Sequence, residues 1–115
     1  MKLVIWHNPR CTKSRETLAL LRQKGLEPEI RDYLKETPTV DELKAVVGKL
    51  GFDTVRDWMR TKEADYKALG LKDESDEDRL LEAMVSHPKL IERPVVIHGE
   101  RAALGRPPEK VLDVL

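Results

Sequence analysis

The stretch KLVIWHNPRCTKSRETLALLRQKG, residues 2–25, decides the fold. Its first five residues form a short apolar run that Asn8-Pro9 ends, which reads as a buried strand entering a turn. From about Thr12 to Lys24 the spacing becomes helical, with Leu18, Leu20 and Leu21 toward one side and Gly25 as the stop. Cys11, the only cysteine among 115 residues, falls at the junction of the two. A cysteine kept for packing belongs inside an apolar run, whereas this one is flanked by Arg10, Lys13 and Arg15. Helix N-termini present unpaired N–H groups and the positive end of the dipole, and both favour a thiolate. Basic neighbours, with His7 added when protonated, complete a setting of the kind that lowers a thiol pKa from about 8.5 to between about 3.5 and 7.5. Cys11 is therefore the candidate nucleophile.

Outward from this unit, Pro28–Leu34 (PEIRDYL) alternates Ile30, Asp32 and Leu34 against Glu29, Arg31 and Tyr33, the pattern of a second strand. Thr39-Val-Asp-Glu42 is a capping box, and the helix it opens runs to Leu50 before Gly51. Residues 54–69 read as one or two short helices broken near Thr61. Ser75-Asp-Glu-Asp78 opens a further helix that stops at His87-Pro88. VVIH at 95–98 and RAAL at 101–104 form a hairpin about Gly99, and Pro107-Pro108 starts a last helix. A β-α-β opening implies a parallel pair with a right-handed crossover. The later hairpin adds antiparallel strands, so the expected fold is α/β with a mixed four-stranded sheet and an inserted helical block. No repeat, linker or low-complexity tract interrupts the chain, which is expected to be one domain over residues 1–115.

Composition narrows the function. Lys and Arg balance Asp and Glu at 21 each, which argues against a general nucleic-acid or membrane-surface role. One cysteine closes no internal disulfide, and no signal peptide or transmembrane run is visible, so the cytoplasm is the expected compartment. A monomer is the expected state. With one Cys and the scattered His7, His87 and His98, no metal site is expected.

WHNPRCTKSRETLALLRQKG, YLKETPTVDEL, IERPVVI and LGRPPEKVLDVL together resemble the glutaredoxin-coupled arsenate reductase (ArsC) family, nearly end to end and most of all its short, YfgD-like members. The resemblance implies a thioredoxin-like fold with Cys11 as nucleophile, preceded by His7, Asn8 and Pro9. It places Ser14 where thioredoxin relatives carry a second cysteine, and makes Pro94 the position that is characteristically cis. It also maps three oxyanion-binding arginines onto Arg60, Arg93 and Arg106. Arsenate is a tetrahedral oxyanion, and guanidinium groups pair with such oxygens in fixed geometry. A thiolate approaching that anion needs compensating positive charge, which converging arginines supply.

Reducing arsenate to arsenite takes two electrons, and a single protein thiol cannot supply both by closing a disulfide. Glutathione is the expected co-substrate, with glutaredoxin releasing the resulting mixed disulfide and no cofactor bound. Two other readings share parts of this pattern. Spx-like regulators that bind RNA polymerase carry a redox CxxC, where this chain has Ser14. A glutathione-dependent thiol transferase of another substrate would use Cys11 without arsenate.

Overall fold

β1, Leu3–Trp6, lies inside a four-stranded sheet of order β2-β1-β3-β4. The computed structural model describes residues 2–115, which divide into two compact units: residues 2–36 with 93–115, and residues 37–92. In the first unit β2, Glu29–Arg31, pairs parallel with β1, while β3, Val95–His98, and β4, Arg101–Leu104, pair antiparallel. The sheet is mixed, as the β-α-β opening and the late hairpin require. Ile5 stands opposite Val96, and Val96 opposite Ala103, so one face carries an apolar row across three strands.

α1, Thr12–Gln23, covers that face with Ser14, Thr17, Leu18 and Leu21, a stripe at the i, i+3, i+4, i+7 spacing of one helix side. Ile5, Leu18, Leu21, Val96, Val111 and Val114 form a single core cluster, and burial of such side chains stabilises by about 1.5–3 kcal/mol each. At the end of α1, Gly25 takes φ +78°, with its N–H on the Arg22 carbonyl and the Leu26 N–H on that of Leu21. This is the left-handed helix stop that favours glycine.

Two elements differ from the sequence pattern. β2 ends at Arg31 rather than reaching Leu34, because Asp32 begins a turn: its Oδ1 accepts the Leu34 N–H and its carbonyl those of Lys35 and Glu36. The alternation therefore fails, with Tyr33 buried while Ile30 and Leu34 are exposed. The last helix, Pro108–Val114, winds as a 3-10 helix rather than an α-helix, and still delivers Val111 and Val114 to the core.

The helical unit begins with α2, Val40–Leu50. Both halves of its capping box form: Thr39 Oγ1 accepts the Glu42 N–H, and Glu42 Oε1 accepts the Thr39 N–H, each at 3.1 Å. Residues 54–69 resolve into a 3-10 helix, Val55–Trp58, and the short α3, Ala64–Ala68, with the break around Thr61. α4, Glu77–Ser86, takes Asp76 rather than Ser75 as its cap, Asp76 Oδ1 accepting the Asp78 N–H. Leu43, Val46, Val55, Trp58, Leu80, Leu81 and Met84 are buried in this unit. Arg56 fastens its irregular segments by donating to Tyr66 Oη and to the carbonyls of Leu71 and Glu74. Among the described residues no helix is long and apolar enough to cross a membrane.

Each unit carries one buried tryptophan, Trp6 in the sheet unit and Trp58 in the helical unit. If the chain unfolds as one domain, tryptophan fluorescence and far-UV circular dichroism give the same urea midpoint within Trp6→Phe, and likewise within Trp58→Phe. A fluorescence midpoint displaced from that of circular dichroism in either variant means that the two units melt separately.

Candidate active site

Pairing of β1 continues one residue past the strand, where the His7 N–H donates to the Arg31 carbonyl at 2.8 Å. The chain then turns through Asn8-Pro9-Arg10. Asn8 closes the turn twice, its Oδ1 accepting the Arg10 N–H and its carbonyl the Cys11 N–H, both at 3.0 Å. Cys11 follows in extended backbone geometry as the N-cap of α1, and its carbonyl accepts the Arg15 N–H. Its side chain is buried, at 8% exposure.

Burial pushes the Cys11 thiol up, but the Ser14 N–H, the Arg93 guanidinium, the Lys13 N–H and the Arg106 guanidinium together hold it below the ordinary thiol value. The sulfur makes no cap hydrogen bond of good geometry, so the two N–H groups act as nearby dipoles rather than as a formed cap. The helix terminus thus contributes as the sequence implies. The side-chain charges that lower it, however, belong to Arg93 and Arg106, whereas Arg10, Lys13 and Arg15 are exposed. Lys13 instead pairs with Glu16, and Arg15 donates to the Pro9 carbonyl and to Thr12 Oγ1.

His7 is buried, and burial lowers its pKa; the Asp32 carboxylate opposes this, while Arg22 and Arg15 add to it. It is therefore neutral near pH 7 and adds no positive charge beside Cys11. Its Nδ1 lies 2.6 Å from Ser14 Oγ, which also accepts the Asn8 N–H at 3.0 Å. Ser14 is wholly buried, and its hydroxyl ties together the turn before Cys11.

The two late arginines arrive through strand register. β3 and β4 pair Val95 with Leu104, and the Gly105 N–H donates to the Pro94 carbonyl at 2.9 Å. One further step of the same register sets Arg106 opposite Arg93. Arg106 reaches back with Nε to the Arg93 carbonyl at 2.8 Å and with Nη2 toward Cys11 Sγ at 3.7 Å. Arg93 Nε is buried with no hydrogen-bond partner among the described residues. Both guanidinium groups act on the Cys11 sulfur from this end of the hairpin. Both Arg93-Pro94 and Arg106-Pro107 are cis; the first matches the expectation for Pro94, while nothing in the sequence pointed to the second.

Arg60 belongs to the helical unit. Its N–H donates to the Leu90 carbonyl, and its guanidinium is ion-paired with Glu63 at 3.3 Å and Glu92 at 3.8 Å. The other two histidines are occupied locally, His87 near Asp65 and His98 with Nδ1 on the Val114 carbonyl. No group of three or more His, Cys, Asp or Glu among the described residues is arranged to hold a metal ion.

The sheet order, the helix that follows β1 and the cis-proline opening β3 define a thioredoxin-like protein. The ArsC family profile matches residues 6–114. The chain is 50% identical to the arsenate reductase of Haemophilus influenzae, with all of both chains covered. It is 48% identical to the YfgD protein of Escherichia coli, over 96% of this chain and 94% of that one. The solved arsenate reductase of Vibrio cholerae superposes with a TM-score of 0.97 at 52% identity, covering 100% of this chain and 98% of that one. The chain belongs to the ArsC family of enzymes.

The neutral, buried His7 makes stability depend on pH in a defined direction. Its folded pKa lies below its unfolded one, so its stabilising effect is complete above the ordinary histidine range and is lost as pH falls from about 6.5 toward the folded value. The urea midpoint of the wild type should therefore fall between pH 7 and pH 5 more steeply than that of His7→Gln. Parallel pH profiles for the two proteins would mean that His7 is not held neutral by the fold.

Proposed function

We propose that this protein reduces arsenate to arsenite with Cys11 as the nucleophile. The observation that carries the reading is the convergence of Arg93 and Arg106 on a single buried thiol of lowered pKa. It is supported by half-identity to an arsenate reductase over the whole chain. The arginines hold the oxyanion and offset the repulsion between it and the thiolate. Arg93 Nε, with its unused donor, is suited to an oxyanion oxygen. Asn8, His7 and Ser14 shape the turn that presents the sulfur, and Arg93 precedes Pro94 just before β3. The resemblance assigns Arg60 the same oxyanion chemistry, and its carboxylate partners Glu63 and Glu92 are what an oxyanion would compete with.

The overall reaction converts arsenic acid and two thiols into arsenous acid, one disulfide and one water. Cys11 Sγ bonds to arsenic and an oxygen leaves as water. Glutathione supplies the second thiol, and a sulfur–sulfur bond forms as the sulfur–arsenic bond breaks, returning the electron pair to arsenic. Glutaredoxin then reduces the mixed disulfide at Cys11. No step requires a bound cofactor. The protein is proposed to act as a monomeric single domain in a reducing compartment such as the cytoplasm.

Arsenate-dependent NADPH oxidation, measured with glutathione, glutaredoxin and glutathione reductase, tests the reading. Cys11→Ser should fold and show no activity, because a neutral hydroxyl is a far poorer nucleophile than a thiolate. Arg93→Ala and Arg106→Ala should each lose roughly 10- to 150-fold in kcat/KM, the loss of one charge-assisted contact, with lysine restoring only part. Without glutaredoxin, one glutathione should remain attached to Cys11 by intact mass. A wild-type protein inactive on arsenate but active on glutathione mixed disulfides would replace this reading with that of a thiol transferase.

A further inference from the structure

Gly105 lies between β4 and Arg106, where a side chain has no room. A Cβ built on it would stand 2.5 Å from Thr17 Oγ1, 2.7 Å from Pro94 Cγ and 3.2 Å from Thr17 Cγ2. Its backbone torsion is not the reason for glycine here, since Gly105 is absent from the positions with positive φ. The reason is close approach of three segments: the end of β4, the second turn of α1 and the cis-proline that opens β3.

None of the three segments is free to yield. Thr17 is wholly buried, and its hydroxyl donates to the Lys13 carbonyl at 2.8 Å, within the turn of α1 that begins at Cys11. Pro94 is buried behind its cis bond, and its carbonyl accepts the Gly105 N–H. The residue after Gly105 is Arg106, whose guanidinium spans from the Arg93 carbonyl at 2.8 Å to Cys11 Sγ at 3.7 Å. A displacement of Gly105 therefore moves Arg106 away from a contact that is already long for a hydrogen bond to sulfur.

We propose that Gly105 is a positioning residue, and that its seam with Thr17 and Pro94 sets the distance between the Arg106 guanidinium and the Cys11 sulfur. The site tolerates no Cβ at this position because the methyl would be accommodated by lifting the chain at Arg106. Glycine here serves the placement of a charge.

The activity part of the test rests on the arsenate reading, whereas the sulfur part does not. In Gly105→Ala, the midpoint of the pH–rate profile for alkylation of Cys11 by iodoacetamide should move up toward that of an ordinary thiol. Arsenate kcat/KM should fall by about tenfold or more, the scale of one weakened charge-assisted contact. Thr17→Ala/Gly105→Ala removes two of the three close contacts, and against Thr17→Ala alone it should recover part of both quantities. If Gly105→Ala does not fold, recovery of a folded, reactive protein in the double variant supports the seam, and an unfolded double variant overturns it. A folded Gly105→Ala with wild-type alkylation midpoint overturns it as well, as does a folded double variant no better than the single. Should the wild type fail to reduce arsenate, the alkylation profiles still decide the role of Gly105.

Discussion

The hydrogen bond from the Gly105 N–H to the Pro94 carbonyl is the constraint on which the site depends. It carries the β3–β4 pairing one residue beyond the strands, and the residues that follow, Arg93 and Arg106, are joined by the Arg106 Nε bond to the Arg93 carbonyl. The remaining positive field falls on Cys11. A hairpin whose strands serve an ordinary sheet thus ends in two arginines that act on the Cys11 sulfur. The same bond fixes β4 against α1, because Gly105 meets Thr17 there. Strand register and helix position thus meet at one close approach, next to Arg106.

The electrostatic balance at Cys11 explains why charges adjacent in sequence matter less than charges adjacent in space. Residues 10, 13 and 15 lie at the start of α1 and around its exposed side, where water screens them and local partners engage two of them. Arg93 and Arg106 come from the opposite end of the chain to a sulfur only 8% exposed, where screening is weaker. Burial alone would favour the neutral thiol; the backbone N–H groups of Ser14 and Lys13 and the two arginines reverse that preference. His7 takes no part as a charge, because the burial that gives it a hydrogen bond to Ser14 also keeps it neutral.

Much of this was legible in the sequence wherever the signal was local. β1, the capping box of Thr39 and Glu42, the stop at Gly25 and the hairpin about Gly99 each follow from residues within a few positions of one another. Two of the local readings failed. β2 stops early because Asp32 turns the chain and Tyr33 goes inward, against an alternation that by itself fits a longer strand. Residues 108–114 have helical spacing, yet take the tighter 3-10 winding. Cys11 and the Arg93-Pro94 and Arg106-Pro107 pairs were visible as candidates, but which charges reach the sulfur was not, since that depends on a register spanning most of the chain. The role of Gly105 is hidden in the sequence for the same reason. In sequence it resembles a turn glycine, and only the neighbouring Thr17 and Pro94 give it a steric role.

Ser14 connects this architecture to the single-thiol chemistry. Its hydroxyl receives the Asn8 N–H and lies 2.6 Å from His7 Nδ1, so position 14 is committed to holding the turn that presents Cys11. A thiol there would be a larger, weaker hydrogen-bonding group in a wholly buried position, and the turn would lose the acceptor that closes it. The protein has one cysteine, so on the proposed route the second electron-supplying thiol has to come from outside. That thiol approaches a sulfur flanked by two guanidinium groups, the same field proposed to hold the oxyanion. Glutathione, with two carboxylates, is attracted by that field, whereas a cationic thiol is repelled by it. The two arginines thus serve both halves of the proposed reaction, first by binding the oxyanion and then by drawing in the anionic reductant.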